Sequence, residues 1–232
     1  MKWRKWNELP KGMQYSEIKE YYDILNKKRF SLRWKRVFDI IVAIGVFLVT
    51  AIPMLIIAIM IKLDSEGPVF FRQERVTAYG KKFKIHKFRT MNNNADKIGS
   101  AITVNADSRI TNIGKKLRKY HLDELPQVFD ILNGNMSFVG TRPELVKYVK
   151  AYTKEMRATL LLPAGVTSAA SIQYKNEAEM ISKMEIADKV YIEEILPQKM
   201  EFNLRSIRNY SFLGEIKIMI RTIFTVLEER SK

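Results

Sequence analysis

From Ile40 to Ile61 the chain carries no charged side chain, and no other feature limits its fold as much. At about 1.5 Å of rise per residue, a helix over this stretch runs roughly 33 Å, enough to cross the hydrocarbon core of a bilayer. Pro53 stands near its middle. A proline in a helix interior costs about 3 kcal/mol and strips the Val49 carbonyl of its usual donor. The Thr50 hydroxyl is a local group able to ease that strain. Cations flank both ends: Arg33, Lys35 and Arg36 before it, Lys62 after it, and a basic remainder beyond. Under the positive-inside rule a single span puts one of these flanks on the wrong face. A helix–break–helix that enters and leaves the same leaflet satisfies both. The expectation is therefore a re-entrant hairpin over residues 35–64, with a proline-kinked span as the alternative.

The rest of the chain is basic. A net charge of +15 over 232 residues points to a polyanionic partner: nucleic acid, anionic lipid headgroups or phosphorylated substrates. With no cysteine there is no disulfide framework and no thiolate metal site. His86 and His121 are too few for a histidine zinc site, so any metal should be a hard cation held by oxygen. Residues 1–34 are basic and aromatic, and no apolar core follows Met1 within a leader's length, so no cleaved leader is expected. Tyr15 to Lys28 has helical spacing through Ile18, Tyr21, Tyr22 and Leu25. Trp3, Trp6, Phe30 and Trp34 interleaved with cations suit a headgroup interface, and a solvated arm is the open alternative.

Beyond residue 65 the pattern is that of a small catalytic domain, 65–232. Val69 to Arg75 and Lys82 to Phe88 read as strands of a β-hairpin turned by Thr77–Lys81. Asn92 to Asp107 is polar and loop-like. Ile113 to Tyr120 is helical, Met136 to Val139 is a short strand, and Leu145 to Leu162 and Ala178 to Leu196 are mostly helical. In the last helix Ile216, Met219, Ile220, Ile223, Phe224 and Leu227 share one face, expected to be core, with a surface-lying membrane contact as the alternative.

The chemistry centres on Asp123 and Glu124. Two adjacent carboxylates stand shortly after Arg118 and just before Pro126, where a new helix is expected to begin. An ionised aspartate is a competent nucleophile, and a second acid beside it can hold a metal or move a proton. Read alone, the pair equally suits a helix cap.

What decides between these is order. Lys35-Arg36-Val37-Phe38-Asp39 opens the apolar stretch and Gly67-Pro68-Val69-Phe70-Phe71-Arg72-Gln73-Glu74-Arg75 follows it. Then come Phe83-Lys84-Ile85-His86-Lys87-Phe88-Arg89-Thr90-Met91, Asp107-Ser108-Arg109-Ile110-Thr111, Leu122-Asp123-Glu124-Leu125-Pro126-Gln127, and Asn133-Gly134-Asn135 through to Gly140-Thr141-Arg142-Pro143. In this order, from about Lys35 to Thr225, the chain resembles the bacterial sugar transferases, the monotopic phosphoglycosyl transferases that act on polyprenyl phosphate.

The resemblance implies an α+β, mainly helical protein, anchored monotopically at the cytoplasmic face of a bacterial inner membrane. It implies a UDP-sugar donor and a polyprenyl (undecaprenyl) phosphate acceptor, with oligomeric state left open. It implies a two-step reaction initiating glycoconjugate synthesis, in which Asp123 takes up a phosphosugar, UMP leaves, and the lipid phosphate then accepts the phosphosugar. Asp123 and Glu124 would bind Mg2+, and Arg118, Arg142, Arg75, Lys87 and Arg89 would contact substrate. The alternative is a non-catalytic basic protein binding anionic lipid or nucleic acid at a membrane surface. It leaves the acids between Arg118 and Arg142 unexplained, and no nucleic-acid motif is present. Departures exist. Thr141 stands where the family has a first proline beside the arginine, and Ile52 where it has a serine before Pro53. Ser168-Ala169-Ala170-Ser171 replaces the family's Gly-Trp-Ala-Gln, in a loop able to affect sugar choice. A late acidic position near Asn203 is not acidic.

Overall fold

The computed structural model describes residues 3–93, 95, 107–174 and 187–230. Helix α1 (Ser16–Lys27) buries Ile18, Tyr21, Tyr22 and Leu25, the stripe expected from its period. Trp3 stacks on Tyr22 at 5.4 Å and Trp6 meets the same ring edge-on at 5.2 Å. Residues 3–27 therefore join the core of the globular body rather than forming a separate arm. Only Phe30 and Trp34 of this aromatic set are exposed.

Helix α2 (Arg29–Asp64) is one continuous helix with Pro53 inside it, so the expected break does not divide it in two. Thr50 Oγ1 donates to the Val46 carbonyl at 2.7 Å. That is one turn back, a bond that bends helices, and not the carbonyl that Pro53 frees. Among the described residues α2 is the one helix long and apolar enough to cross a membrane. Ala43, Met54, Ile57 and Ile61 are buried along one stripe, while Leu48, Val49, Ile52 and Leu55 are exposed. Both ends are tied to the same body. Near the start, Lys35 pairs with Asp39 at 2.7 Å and also donates to Ser137. Arg36 donates to the Ile131 and Leu132 carbonyls at 2.7 and 3.1 Å. At the far end Arg89 donates to the carbonyls of Ser65 (2.6 Å), Glu66 (2.7 Å) and Ile61 (3.3 Å).

Strands β1 (Phe70–Val76) and β2 (Lys82–Phe88) pair antiparallel from Phe70↔Phe88 to Val76↔Lys82, as the alternation predicts. Helix α3 (Asn112–Lys119) is capped by Thr111. A 3₁₀ turn (Leu122–Glu124) and α4 (Gln127–Leu132) follow. Strand β3 (Met136–Val139) pairs in parallel with β4 (Ala164–Thr167). Their crossover holds α5 (Val146–Lys150) and a 3₁₀ segment (Met156–Leu161), where a mostly helical run was expected. The Thr153 hydroxyl accepts the Met156 N–H at 3.2 Å, a local bond that starts a new turn instead of continuing the old one. Helices α6 (Ala169–Gln173), α7 (Ala187–Val190), α8 (Leu196–Arg208) and α9 (Phe212–Arg230) complete the body, with a π turn (Tyr191–Ile195) between α7 and α8. The expected helix over 178–186 and most of the polar loop at 92–107 lie outside the described residues.

The apolar stripe of α9 is not core. Ile220, Ile223, Phe224 and Leu227 are exposed. The helix docks through other residues. Glu215 faces Lys35 at 3.3 Å, the Thr222 and Thr167 hydroxyls bond at 2.8 Å, and Phe212 meets Phe38 edge-on at 5.4 Å.

Two apolar clusters hold the body together. One joins α1, the 3₁₀ segment and α8. The other joins the far half of α2 to the hairpin, α3, α4 and β3, and it carries the site described next.

Candidate active site

Three connections bring the acidic pair into register. His121, at φ 53°, adopts the left-handed conformation rare outside glycine and ends α3 abruptly. The chain then makes the 3₁₀ turn bearing Asp123 and Glu124. Pro126, which has no N–H to lose, opens α4. On the opposite side Arg142 sits in the loop after β3, and that loop depends on close backbone contact. A Cβ built on Gly165 would lie 2.2 Å from the Gly140 nitrogen, so β4 approaches the loop only because both residues are glycine.

Lys87 comes from the end of β2, which is held against α4 by Asp130. That carboxylate is fully buried, accepts the His86 N–H at 2.8 Å and meets His86 Nδ1 at 2.8 Å.

The two carboxylates are adjacent in sequence but differ in partners. Glu124 Oε1 accepts from Lys87 Nζ at 2.6 Å and from Arg142 Nη2 at 2.5 Å, and Arg142 Nη1 reaches Oε2 at 3.4 Å. Asp123 is 9% exposed, and no hydrogen bond reaches its carboxylate among the described residues. Their electrostatics diverge accordingly. Burial pushes the Asp123 carboxyl up, against the pull of Lys87, Arg118 and Arg142, and the Glu124 charge adds to the rise. Burial also works to raise Glu124, yet Arg142 and Lys87 hold it well below the usual carboxylate range. Lys87 is lowered by burial, with Glu124 opposing. Glu124 is thus a fixed anion locking two cations in place. Asp123 is a desolvated carboxylate with uncommitted lone pairs, the condition a nucleophile needs.

Arg118, on the last turn of α3, donates from Nε to Thr90 Oγ1 at 2.9 Å and lies within electrostatic reach of both acids. Asp123, Glu124, Lys87, Arg118 and Arg142 therefore lie together in one cluster. The other two expected substrate-binding cations do not join them. Arg75 donates to the Pro143 carbonyl at 3.1 Å and to Gln73 at 2.6 Å, bracing the Arg142 loop from behind. Arg89 is buried and committed to main-chain carbonyls at the end of α2. Thr90 and Asp130 escaped the sequence reading. Both lie within or beside the motifs, but their roles depend on which elements pack together, and no local signal marks them.

Among the described residues no group of three or more His, Asp or Glu side chains converges on a metal position. Mg2+ is commonly held by one or two carboxylates with waters and substrate phosphate oxygens as the remaining ligands; Asp123 has lone pairs to offer such an ion, whereas Glu124 already accepts from Lys87 and Arg142.

The family described as "Bacterial sugar transferase" matches residues 30–229. The chain is 36% identical over 195 residues to the UDP-glucose:undecaprenyl-phosphate glucose-1-phosphate transferase of Escherichia coli K12, covering 82% of this chain and 39% of that protein. It is 34% identical over 196 residues to the UDP-N-acetylgalactosamine-undecaprenyl-phosphate N-acetylgalactosaminephosphotransferase of Aeromonas hydrophila, covering 83% and 43%. An uncharacterised sugar transferase of Bacillus subtilis, EpsL, is 33% identical over 193 residues, covering 83% and 87%. The chain thus spans about two fifths of the two larger relatives and most of the smaller one. A match over residues 30–229, most of the chain, places this protein in the bacterial sugar transferase family.

Proposed function

We propose that this protein transfers a sugar 1-phosphate from a UDP-sugar to a polyprenyl phosphate, through an aspartyl-phosphosugar intermediate on Asp123. The reading is carried by one observation: a buried carboxylate that accepts no hydrogen bond from the described residues sits beside a second carboxylate clamped by Lys87 and Arg142. An Asp123 oxygen attacks the sugar-bearing phosphorus, the bond to the UMP oxygen breaks, and UMP departs. An oxygen of the lipid phosphate then attacks the same phosphorus and the carboxylate is released. Phosphoryl transfer asks mainly for positioning and charge neutralisation. Arg118 and Arg142 supply planar, permanently charged forks for phosphate oxygens, and Lys87 adds a point charge. Asp123 and Glu124 would hold Mg2+, which when bound neutralises diphosphate charge.

The acceptor places the site at a bilayer. We infer that α2 bends about Pro53 so as to enter and leave one leaflet, because its two ends dock on the same globular body while Leu48, Val49, Ile52 and Leu55 between them are exposed. The catalytic body then lies at the cytoplasmic face of the inner membrane. Single cysteines replacing Lys5 and Lys82 should label from the same side of sealed vesicles; labelling from opposite sides would make α2 a span.

The test of the activity is a UDP-sugar panel on nanodisc-held protein with Mg2+ and undecaprenyl phosphate, following UMP. One sugar should release UMP, and intact mass with that donor alone should show a phosphosugar adduct that disappears in Asp123→Asn. Full turnover in Asp123→Asn would refute the nucleophile assignment.

A further inference from the structure

We propose that the cavity between the end of β3, the start of α6 and the C-terminal part of α8 receives the sugar ring of the donor, with Asn203 as a specificity-determining side chain. This rests on the donor being a nucleotide sugar, as proposed above. The cavity measures about 280 Å³ and includes Gly140 and Thr141 in its wall. Thr141 immediately precedes Arg142, whose guanidinium grips Glu124. One short loop therefore lines the cavity with one residue and reaches the acidic pair with the next.

The chemistry of the wall suits a polyhydroxyl ligand. Thr141, Ser206, Asn203 and Asn209 contribute neutral hydroxyls and amides, Phe202 an aromatic ring, and Glu215 of α9 a carboxylate already engaged by Lys35. The lining cation, Arg205, is exposed, lies over the Phe202 ring and pairs with Glu201 at 3.3 Å, so it is not poised for a buried phosphate. The size also suits. Sites for drug-sized ligands begin at roughly 300 Å³, so this space lies at the small end of ligand sites and has room for a sugar ring.

Asn203 is the informative residue. It is 5% exposed, and the one hydrogen bond recorded for its amide is a 3.9 Å contact from Nδ2 to Met200 Sδ. Buried amides are ordinarily paired. Asn203 lines the cavity, no hydrogen bond reaches its carbonyl oxygen among the described residues, and the Thr141 hydroxyl likewise makes none. Both can pair with sugar hydroxyls or an acylamino group. Ala169 keeps the space open. A large side chain there would fill it.

The experiment compares binding of UDP with UDP-glucose, UDP-galactose and their N-acetylamino counterparts, by calorimetry on nanodisc-held Asp123→Asn protein to prevent turnover. The same donors are assayed kinetically on active protein. One UDP-sugar should bind at least tenfold tighter than UDP. Adding Ala169→Trp should abolish that ratio and leave UDP affinity within about twofold. Asn203→Ala should raise KM for the preferred donor about tenfold and change the ranking of donors, whereas a purely structural role would shift all donors together. Should Ala169→Trp fail to fold, Asn203→Ala decides alone. UMP release from wild type with a donor ranking indifferent to both variants would overturn this inference and leave the activity standing. Failure of every nucleotide to bind or react would overturn the activity and this inference with it.

Discussion

Neutralising the two adjacent acids should move stability in opposite directions. Glu124→Gln keeps the shape of a side chain only 15% exposed but removes its charge from Lys87, itself 20% exposed, and from Arg142, 40% exposed. Breaking a buried pair from one side costs about 3–5 kcal/mol, and the solvent-screened Arg142 pair adds at most about 1 kcal/mol. A loss of about 3 kcal/mol is expected, or roughly 6–12 °C in melting temperature for a chain of this size. Asp123→Asn breaks no hydrogen bond among the described residues. Because the folded carboxyl titrates above its unfolded value, the wild type loses stability as pH rises through that interval, and the neutral amide escapes the loss. Asp123→Asn should therefore melt at or above the wild type at pH 7.5, with the advantage fading as pH falls toward 4. Both variants should lose UMP release: Asp123→Asn by on the order of 10⁴ or more, the loss expected if it is the proposed nucleophile, and Glu124→Gln by about 10²–10³ through misplaced cations. Melting curves in nanodiscs beside UMP release measure both. Equal destabilisation by the two variants would refute the assignment of one acid as fixed anion and the other as free carboxylate.

Three further perturbations have defined outcomes. Arg89→Ala should cost about 3 kcal/mol by freeing carbonyls at the end of α2, with no rescue by lysine, which lacks the fork; normal melting with raised donor KM would return Arg89 to the substrate. Gly165→Ala places a Cβ 2.2 Å from the Gly140 nitrogen, so it should cost about 1–3 kcal/mol and depress UMP release by displacing Arg142; wild-type kinetics would show that the loop does not depend on that contact. Glu215 is pushed up to about 7 by burial, against Lys35. The wild type should then lose about 3 kcal/mol between about pH 4.5 and 7, and Glu215→Gln should flatten that slope in urea titrations; an unchanged slope would place the titration elsewhere.

Much of this was legible before any coordinate. The alternation on either side of Thr77–Lys81 specified the hairpin, and the order of motifs located Asp123 and Glu124. The residues that misled share a cause. Arg75 and Arg89 sit in the same motifs as Lys87, and an arginine's fork suits a phosphate and a pair of carbonyls equally well. Which one it meets depends on where α2 ends and where the Pro143 loop passes, facts set by packing across long stretches of chain. The division of labour between Asp123 and Glu124 was hidden for the same reason: neighbours on one turn, they face different partners.

The apolar stripes carry the same ambiguity at larger scale. In α1 the helical period marks a face that is buried in the protein; in α9 it marks Ile220, Ile223, Phe224 and Leu227, which are exposed. Period reports that a face avoids water and says nothing of what replaces it. What separates the two is the docking chemistry of the opposite face. On α9, Glu215 and Thr222 bind Lys35 and Thr167, turning polar groups inward and leaving the apolar residues outside. Phe212 packs against Phe38 of α2, so this outward apolar face begins beside the exposed apolar helix that the fold is mounted on.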